Sequence, residues 1–473
     1  MSISAISKRI WNLCHVLRDD GIVYHKYLSE LTYLLFLKIA QETQTEHSLP
    51  SGCRWADLSK HPAAGILGFY RKMLTQLGED AQELTIREIF RFPTTVFSHD
   101  ENLKKVVTGI DAIDWHAAKA DGLGNIYEAL LERSAAEARA GAGQYFTPRE
   151  LVESIVRVLK PNGGEIIQDP AAGTGGFLIA AHDYVLKNAG EKNYKRKAPR
   201  FQAVEIESDT YRLCLMNTFL HGMDAEVIHG DALTDDANKL EAPDLIIANP
   251  PFGTSSGGAR PRRDDLLKGT SNKQLLFLQH IYSALKPGGR AAVIVPDNVL
   301  YEEGAGRKIR TELMEKCNLH TVLRLPSGIF YATDVKTSVL FFSKPKKKNA
   351  DTSAQVWFYD LRASIARFNR GRALAAEFFS EFETWYGDDP NGTLERDSSP
   401  SNRAKVYSRT EIASEGDRLD FRWVTGTDVD SQVDTEELSI DELLNDLVQQ
   451  LQDATAEAEA IARDLTEKSR ASH

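Results

Sequence analysis

Cysteine is scarce in this chain of 473 residues, and it is never clustered: Cys14, Cys53, Cys214 and Cys317 are the four. No CxxC step occurs among them. That spacing excludes a zinc module or a disulfide framework and suits a reducing compartment. Long apolar runs are also lacking. The longest, LTYLLFLKI (31–39), contains Thr32 and Lys38 and is too short to span a bilayer. The first residues carry no charged-then-apolar signal layout. A cytoplasmic protein with no membrane partner is expected. Positive charge is not in excess, since the formal net charge is −11. Bulk charge therefore does not draw the chain to polyanions, and nucleic acid would have to be met through local basic patches or a basic partner. Apolar material is ample at 42%, and the length suggests two or three domains.

The chain falls into three textures. Residues 1–140 lack strand-like alternation and read as an all-helical N-terminal domain, with helices expected at 10–18, 27–41 and 123–138. Asp19, Asp20 and Gly21 separate the first two. Residues 141–362 alternate short Val- and Ile-rich runs with helical stretches. Strands are expected at 165–168, 201–205, 225–229, 244–248, 290–295, 320–325 and 338–342. This pattern predicts an α/β domain with a seven-stranded, Rossmann-like sheet, helices on both faces and an antiparallel pair at the end. Residues 363–473 form a polar, acidic C-terminal extension with a loop-like stretch at 387–402. It ends in a helix opened by a capping-box pattern at Ser439 and Glu442. Leu444, Leu447, Leu451, Ala454, Ala458, Ile461 and Leu465 then make a heptad seam, suited to docking on a partner chain.

Three strand ends point to a ligand. IIQDPAAGTGGFLIAA (166–181) runs from a strand through Asp169, Gly173, Thr174, Gly175 and Gly176 into a helix. Glycines there let the backbone turn sharply and approach a ligand at the carboxyl end of a parallel sheet. The loop is not a phosphate-cradling GxxxxGK[ST]. The second strand ends in FQAVEIE, where Glu205 or Glu207 can accept from ribose hydroxyls. The third ends in VIHGDAL, where Asp231 can accept from an adenine amino group. Together these describe a nucleoside pocket.

The fourth strand end is DLIIANPPFG (244–253). Transfer of a methyl group from a sulfonium donor to an exocyclic amine needs two acceptors on the amine's N–H bonds. They draw its lone pair out of conjugation and aim it at the methyl carbon. The Asn249 side-chain oxygen and the Pro250 carbonyl are such acceptors. Pro250 and Pro251 stiffen the backbone in advance, so the catalysis is positional. Phe252 offers a face for a base taken out of its stack.

DPAAGTGG, NPPF and the upstream GQYFTPRE (143–150), in that order, resemble S-adenosylmethionine-dependent amino-methylating DNA methyltransferases of the γ arrangement. The longer strings GQYFTPRELVESIV, RLCLMNTFLHGM and LPSGIF…TSVLFFSK resemble the modification subunit of type I restriction–modification systems, over nearly the whole chain. The resemblance implies S-adenosylmethionine as cofactor and N6 of adenine in double-stranded DNA as target. It implies that Gln144, Tyr145, Phe146, Thr147, Pro148 and Arg149 line the cofactor pocket. Thr174, Gly175 and Gly176 would hold the methionine end, and Glu205, rather than Glu207, the ribose. Two residues depart from the family's usual strings. Ala172 stands where Cys is common, with no loss expected, and Ala203 stands where Gly is usual, one methyl expected to tighten the pocket slightly.

A self-sufficient methylase would carry a target-recognition module after the catalytic region. None is evident in 363–473: there is no zinc finger, helix-turn-helix signature or aromatic–basic strip. Sequence specificity is therefore expected from another chain. Type I modification subunits are similar in this, joining a specificity subunit, typically two to one, and a restriction subunit for cleavage. For phosphate contact the candidates are Arg260, Arg262 and Arg263 in ARPRRDDLLKG (259–269), and secondarily KNYKRKAPR (192–200). KPKKK (344–348) reads as a solvated exit from the last strand. The histidines are scattered and no metal site is expected. RNA bases or protein glutamines are the competing substrates, a scaffold without catalysis is the competing non-enzymatic reading, and NPPF alone does not separate adenine N6 from cytosine N4.

Overall fold

The computed structural model describes residues 3–13, 24–113, 115, 130, 147–253, 263–267, 270–330, 335–347, 353–362, 374–394, 396, 403–421 and 423. Its centre is one mixed sheet. The strands are β1 (Ile166–Asp169), β2 (Arg200–Glu205), β3 (Ala225–His229), β4 (Leu245–Ala248), β5 (Arg290–Pro296), β6 (Asn318–Arg324), β7 (Thr337–Ser343), β8 (Gln355–Asp360) and β9 (Ala404–Ser408). Their spatial order is β3-β2-β1-β4-β5-β7-β6-β8-β9. Strands β1 to β5 pair in parallel, and β7 runs antiparallel between β5 and β6. All seven expected strands are present, within a residue or two of their expected limits.

The centre of the sheet is buried on both faces because its strands alternate between two cores. Leu245, Ile247, Ala292 and Ile294 face one cluster with the helices Arg149–Leu159 and Gly176–Ala189. Ile246, Ala248, Ala291, Val293 and Val295 face the other, with the helices Lys273–Ala284 and Ala305–Lys316. Period-two alternation between two apolar faces is the signature of a sheet covered by helices on each side. Helix Arg149–Leu159 is strongly amphipathic, burying Leu151, Val152, Ile155, Val156, Val158 and Leu159. Its last carbonyls are met by Arg290 of β5, which donates to Leu159 O at 2.8 Å and Lys160 O at 3.0 Å. Glu165 neutralises that nearly buried cation at 2.9 Å.

Two strands exceed the expected seven. β8 pairs in parallel with β6, and β9 runs antiparallel on β8. The sheet therefore does not end at residue 362. Phe379, Phe382 and Tyr386, around the short helix Ser380–Tyr386, are buried in the same core as Ile167 and Leu323. Arg157 clamps that helix through two hydrogen bonds to Glu383, at 2.9 and 2.8 Å. The loop-like stretch after it is held by Asp389, whose carboxylate accepts from the N–H groups of Asn391 and Leu394, each at 2.9 Å.

The N-terminal region is helical, with helices Ile3–Leu13, Tyr24–Glu42, Ile66–Asp80 and Asp100–Asp111 among others. Its core includes Phe36, Tyr70 and Phe90, together with Leu213, Leu215 and Met216 of the helix Ser208–Leu220. The helical region thus shares a core with the sheet domain. The heptad helix lies outside the described residues, as does nearly all of the helix expected at 123–138. No helix among the described residues is long and apolar enough to cross a membrane.

Candidate active site

The glycine-rich turn after β1 is shaped by two left-handed residues, Gly173 at φ +56° and Gly175 at φ +86°. Side-chain-bearing residues rarely adopt that backbone. At Gly175 space is tight as well, since an added Cβ would lie 3.2 Å from Cys214 Sγ. The turn is pinned from below: Ala172 N–H donates to Val204 O at 3.1 Å and Gly175 N–H to Ala172 O at 2.8 Å. Asn217, buried on helix Ser208–Leu220, donates to Thr174 O at 3.0 Å. Ala172 itself is buried in the core cluster.

Two carboxyls border this turn. Asp169 ends β1 with its side chain 1% exposed, accepting from Ala171 N–H at 3.0 Å. Burial pushes its carboxyl up to about 8, and Glu205 adds to the shift. Glu205 ends β2 and accepts from Gly173 N–H at 2.9 Å and Glu207 N–H at 2.8 Å. Burial raises its carboxyl too, against the pull of those hydrogen bonds. Each carboxylate oxygen keeps a second lone pair for a ligand donor. Glu207 turns away to cap its own helix, accepting from Thr210 N–H at 2.6 Å. Ala203, paired with Asp169 across the two strands, has its methyl fully buried in the core with Ile167 and Phe177. Asp231 follows β3, one of its oxygens accepting from Leu233 N–H at 2.9 Å. Ile206, between these groups, is 49% exposed.

At the end of β4, Asn249 is 9% exposed. Its amide nitrogen donates to Thr147 Oγ1 at 3.0 Å. Its Oδ1 is buried and has no hydrogen-bond partner among the described residues. A buried unpaired carbonyl oxygen costs about 1–3 kcal/mol. Pro250 is buried, and Phe252 is half-buried against the core that includes Ile329 and Phe330. The structure thus brings Thr147, Asp169, Gly173, Thr174, Gly175, Gly176, Glu205, Asp231, Asn249, Pro250, Pro251 and Phe252 to the carboxyl ends of four adjacent strands. Pro148 and Arg149 open the helix that follows Thr147, and Arg149 Nε donates to Glu153 at 2.9 Å. Gln144, Tyr145 and Phe146 lie outside the described residues.

The expected DNA contacts fare differently. Arg260 and Arg262 lie outside the described residues. Arg263 is corrected: its side chain is 9% exposed and its guanidinium is spent internally. It donates to both Asp265 oxygens at 2.9 Å and faces His280 Nδ1 at 3.1 Å. Burial holds that imidazole neutral, at about 3, so it can accept. In the first basic segment, Arg200 makes a fork onto Glu241 and Lys195 pairs with Glu191. Lys344 is not a solvated exit. It donates to the carbonyls of Tyr282, Ser283 and Leu285 at 2.8–3.1 Å, closing a helix C-terminus with the charge that suits it. Sequence reasoning missed Thr147 as the partner of Asn249, 102 residues away, because only the fold brings the two together. No cluster of His, Cys, Asp and Glu suited to a metal occurs among the described residues.

Residues 118–430 match the family model for N-6 DNA methylases. The methylase subunit of the type I restriction enzyme StySJI of Salmonella typhimurium is 38% identical, covering 98% of this chain and 96% of the relative. That of EcoKI from Escherichia coli K12 is 39% identical over the same shares. The crystal structure of the EcoKI M protein aligns over 98% of this chain and 96% of its own at 35% identity, with a TM-score of 0.56. A structure described as underlying assembly and conformational transition of a type I restriction–modification system covers 99% of both chains at 26% identity, with a TM-score of 0.75. The chain belongs to the N-6 DNA methylase family, among the methylase subunits of type I restriction enzymes.

Proposed function

We propose that this chain transfers a methyl group from S-adenosylmethionine to N6 of adenine in double-stranded DNA. It does so as the modification subunit of a type I complex whose sequence specificity comes from a separate subunit. The observation that carries the reading is the buried, unpartnered Asn249 Oδ1 beside the rigid Pro250 carbonyl.

The residues at the turn fit the cofactor. Asp169 and Glu205 place two carboxyls around a glycine turn with open space at Gly173 and Gly176, matching a ligand with a cationic end and a ribose. Glu205 takes the ribose hydroxyls, Asp231 the adenine amine, and Ile206 covers a base face. Gln144, Tyr145, Phe146 and Arg149 complete the pocket. The bound cofactor supplies an activated methyl group on a positively charged sulfur. Asn249 Oδ1 and Pro250 C=O accept the two N–H bonds of the target amine and turn its lone pair toward that methyl. Thr147 holds the Asn249 amide, and Phe252 stacks on the extruded base. Neither acceptor needs to take up a proton, since the methylated, protonated amine is acidic enough to lose one to water.

Two of these chains join one specificity subunit, and a restriction subunit completes the assembly. The relatives' designation as subunits of type I enzymes supports this, as does the lack of a recognition-module signature in 363–473. The test is transfer of labelled methyl to duplex DNA, with and without the specificity subunit, followed by nucleoside analysis. Label in N6-methyladenine only with the partner present is expected. Label in N4-methylcytosine, or equal transfer without the partner, would overturn the corresponding part of the reading.

A further inference from the structure

Thr147 ties the first residue of the catalytic stretch. Gly253, just after Phe252, is tied by a second side chain. Gln274 lies in the first turn of helix Lys273–Ala284 and is 6% exposed. Its carboxamide oxygen accepts from Gly253 N–H at 2.7 Å, and its NH2 donates to Gly253 C=O at 3.1 Å and to Asn272 Oδ1. This is the amide orientation in which every atom meets a partner of the opposite role. Lys273 N–H donates to the same Gly253 carbonyl at 3.1 Å. Gly253 has φ +96°, with open space where a Cβ would be. Its backbone angle, and not crowding, is what calls for glycine.

A two-point grip on one residue fixes both the position and the tilt of its peptide groups. The residue gripped directly follows Phe252, and its N–H belongs to the peptide group that joins the two. The grip is built on a firm base: Asn272 caps the helix by accepting from Leu275 N–H at 3.3 Å and donates to Glu302 at 2.9 Å. Glu302 also takes the Asn298 amide at 3.3 Å, from the segment that follows β5.

We propose that Gln274 is a positioning residue for methyl transfer, whose grip on Gly253 sets the Phe252 ring and the Pro250 carbonyl relative to Asn249 Oδ1. It acts through Gly253 and not on the reacting atoms. The proposal rests on residues 249–252 being the amine site.

The test uses Gln274→Glu in the full chain, assembled with its specificity subunit, assayed with labelled S-adenosylmethionine and duplex substrate. A protonated glutamic acid reproduces the grip: its carbonyl accepts from Gly253 N–H and its hydroxyl donates to Gly253 C=O. An ionised one is acceptor-only and faces two acceptors, Gly253 C=O and Asn272 Oδ1. Burial raises the new carboxyl, and the Glu302 carboxylate, one hydrogen bond away through Asn272, raises it further. The variant's kcat should be near the parent's at the acid end. It should fall about 10²-fold toward about pH 9, the scale of a misplaced reacting group. The parent should show no such limb, and cofactor affinity should be unchanged in the variant. Gln274→Leu should lose kcat at every pH. It should also lose the fluorescence rise of 2-aminopurine placed at the target adenine. A Gln274→Glu profile that superimposes on the parent's, or a Gln274→Leu variant with the parent's kcat, overturns the proposal. Absence of adenine methylation by the parent complex overturns the site assignment and the grip with it.

Discussion

Asn249 and Asp169 are both buried polar groups, and each makes a prediction. Asn249 Oδ1 is an acceptor without a donor. Asn249→Ala should lower kcat by at least about 10²-fold, because the amine loses one of its two aiming contacts. Cofactor affinity, measured by calorimetry, should hardly change. Asp169 is pushed from the ordinary 3.8 to about 8 by burial. Between those values the unfolded chain has released this proton while the folded chain keeps it, so this group's contribution to stability falls as pH rises. Asp169→Asn should flatten the decline of the unfolding temperature between about pH 5 and pH 8. Thermal melts across that range check it, and an unchanged slope would remove Asp169 from the account. Both residues stand at strand ends that the sequence marks plainly. Arg263 shows the opposite case. Its basic neighbours make it look like a phosphate ligand, and only the fold folds it inward onto Asp265 and His280.

The elements after residue 362 change what the sheet domain is. AKVYS (404–408) is short and follows a polar stretch, so it carries little strand signal of its own. It becomes β9 because β8 offers it an unpaired edge. Phe379, Phe382 and Tyr386 are then drawn into the core over Phe341 and Tyr359. Phe382→Ala should destabilise the chain by about 3–5 kcal/mol, the usual cost of emptying a buried aromatic site. Denaturant unfolding measures it. A loss below about 1 kcal/mol, within the range of surface substitutions, would mean that this helix packs only loosely on the sheet.

At the scale of the whole molecule, one helix joins the two halves. Ser208–Leu220 packs on the helical region through the Phe36–Phe219 ring pair, with centroids 5.3 Å apart, and through Arg212 over the Tyr33 ring at 5.8 Å. The same helix holds the glycine turn through Asn217. A displacement of the helical region would therefore be felt at the glycine turn. The partner-docking role proposed for the heptad seam also belongs to this scale. Deleting residues 444–473 should abolish assembly with the specificity subunit while leaving the thermal unfolding of the sheet domain intact. Size-exclusion chromatography of the mixed subunits would show it, and retained assembly would place the docking surface elsewhere.

By itself the sequence determined the seven-strand α/β core, the glycine turn and the place of the stretch 249–252 at the end of the fourth strand. These rest on local patterns: alternating burial, glycine where φ is positive, and proline beside an acceptor. The tertiary structure alone decided which side chains hold those stretches in place. Thr147 meets Asn249, Gln274 meets Gly253, Asn217 meets Thr174, and β9 meets β8. Each joins segments distant in sequence or role, and a hydrogen-bond partner is set by where two elements pack, which no local periodicity records.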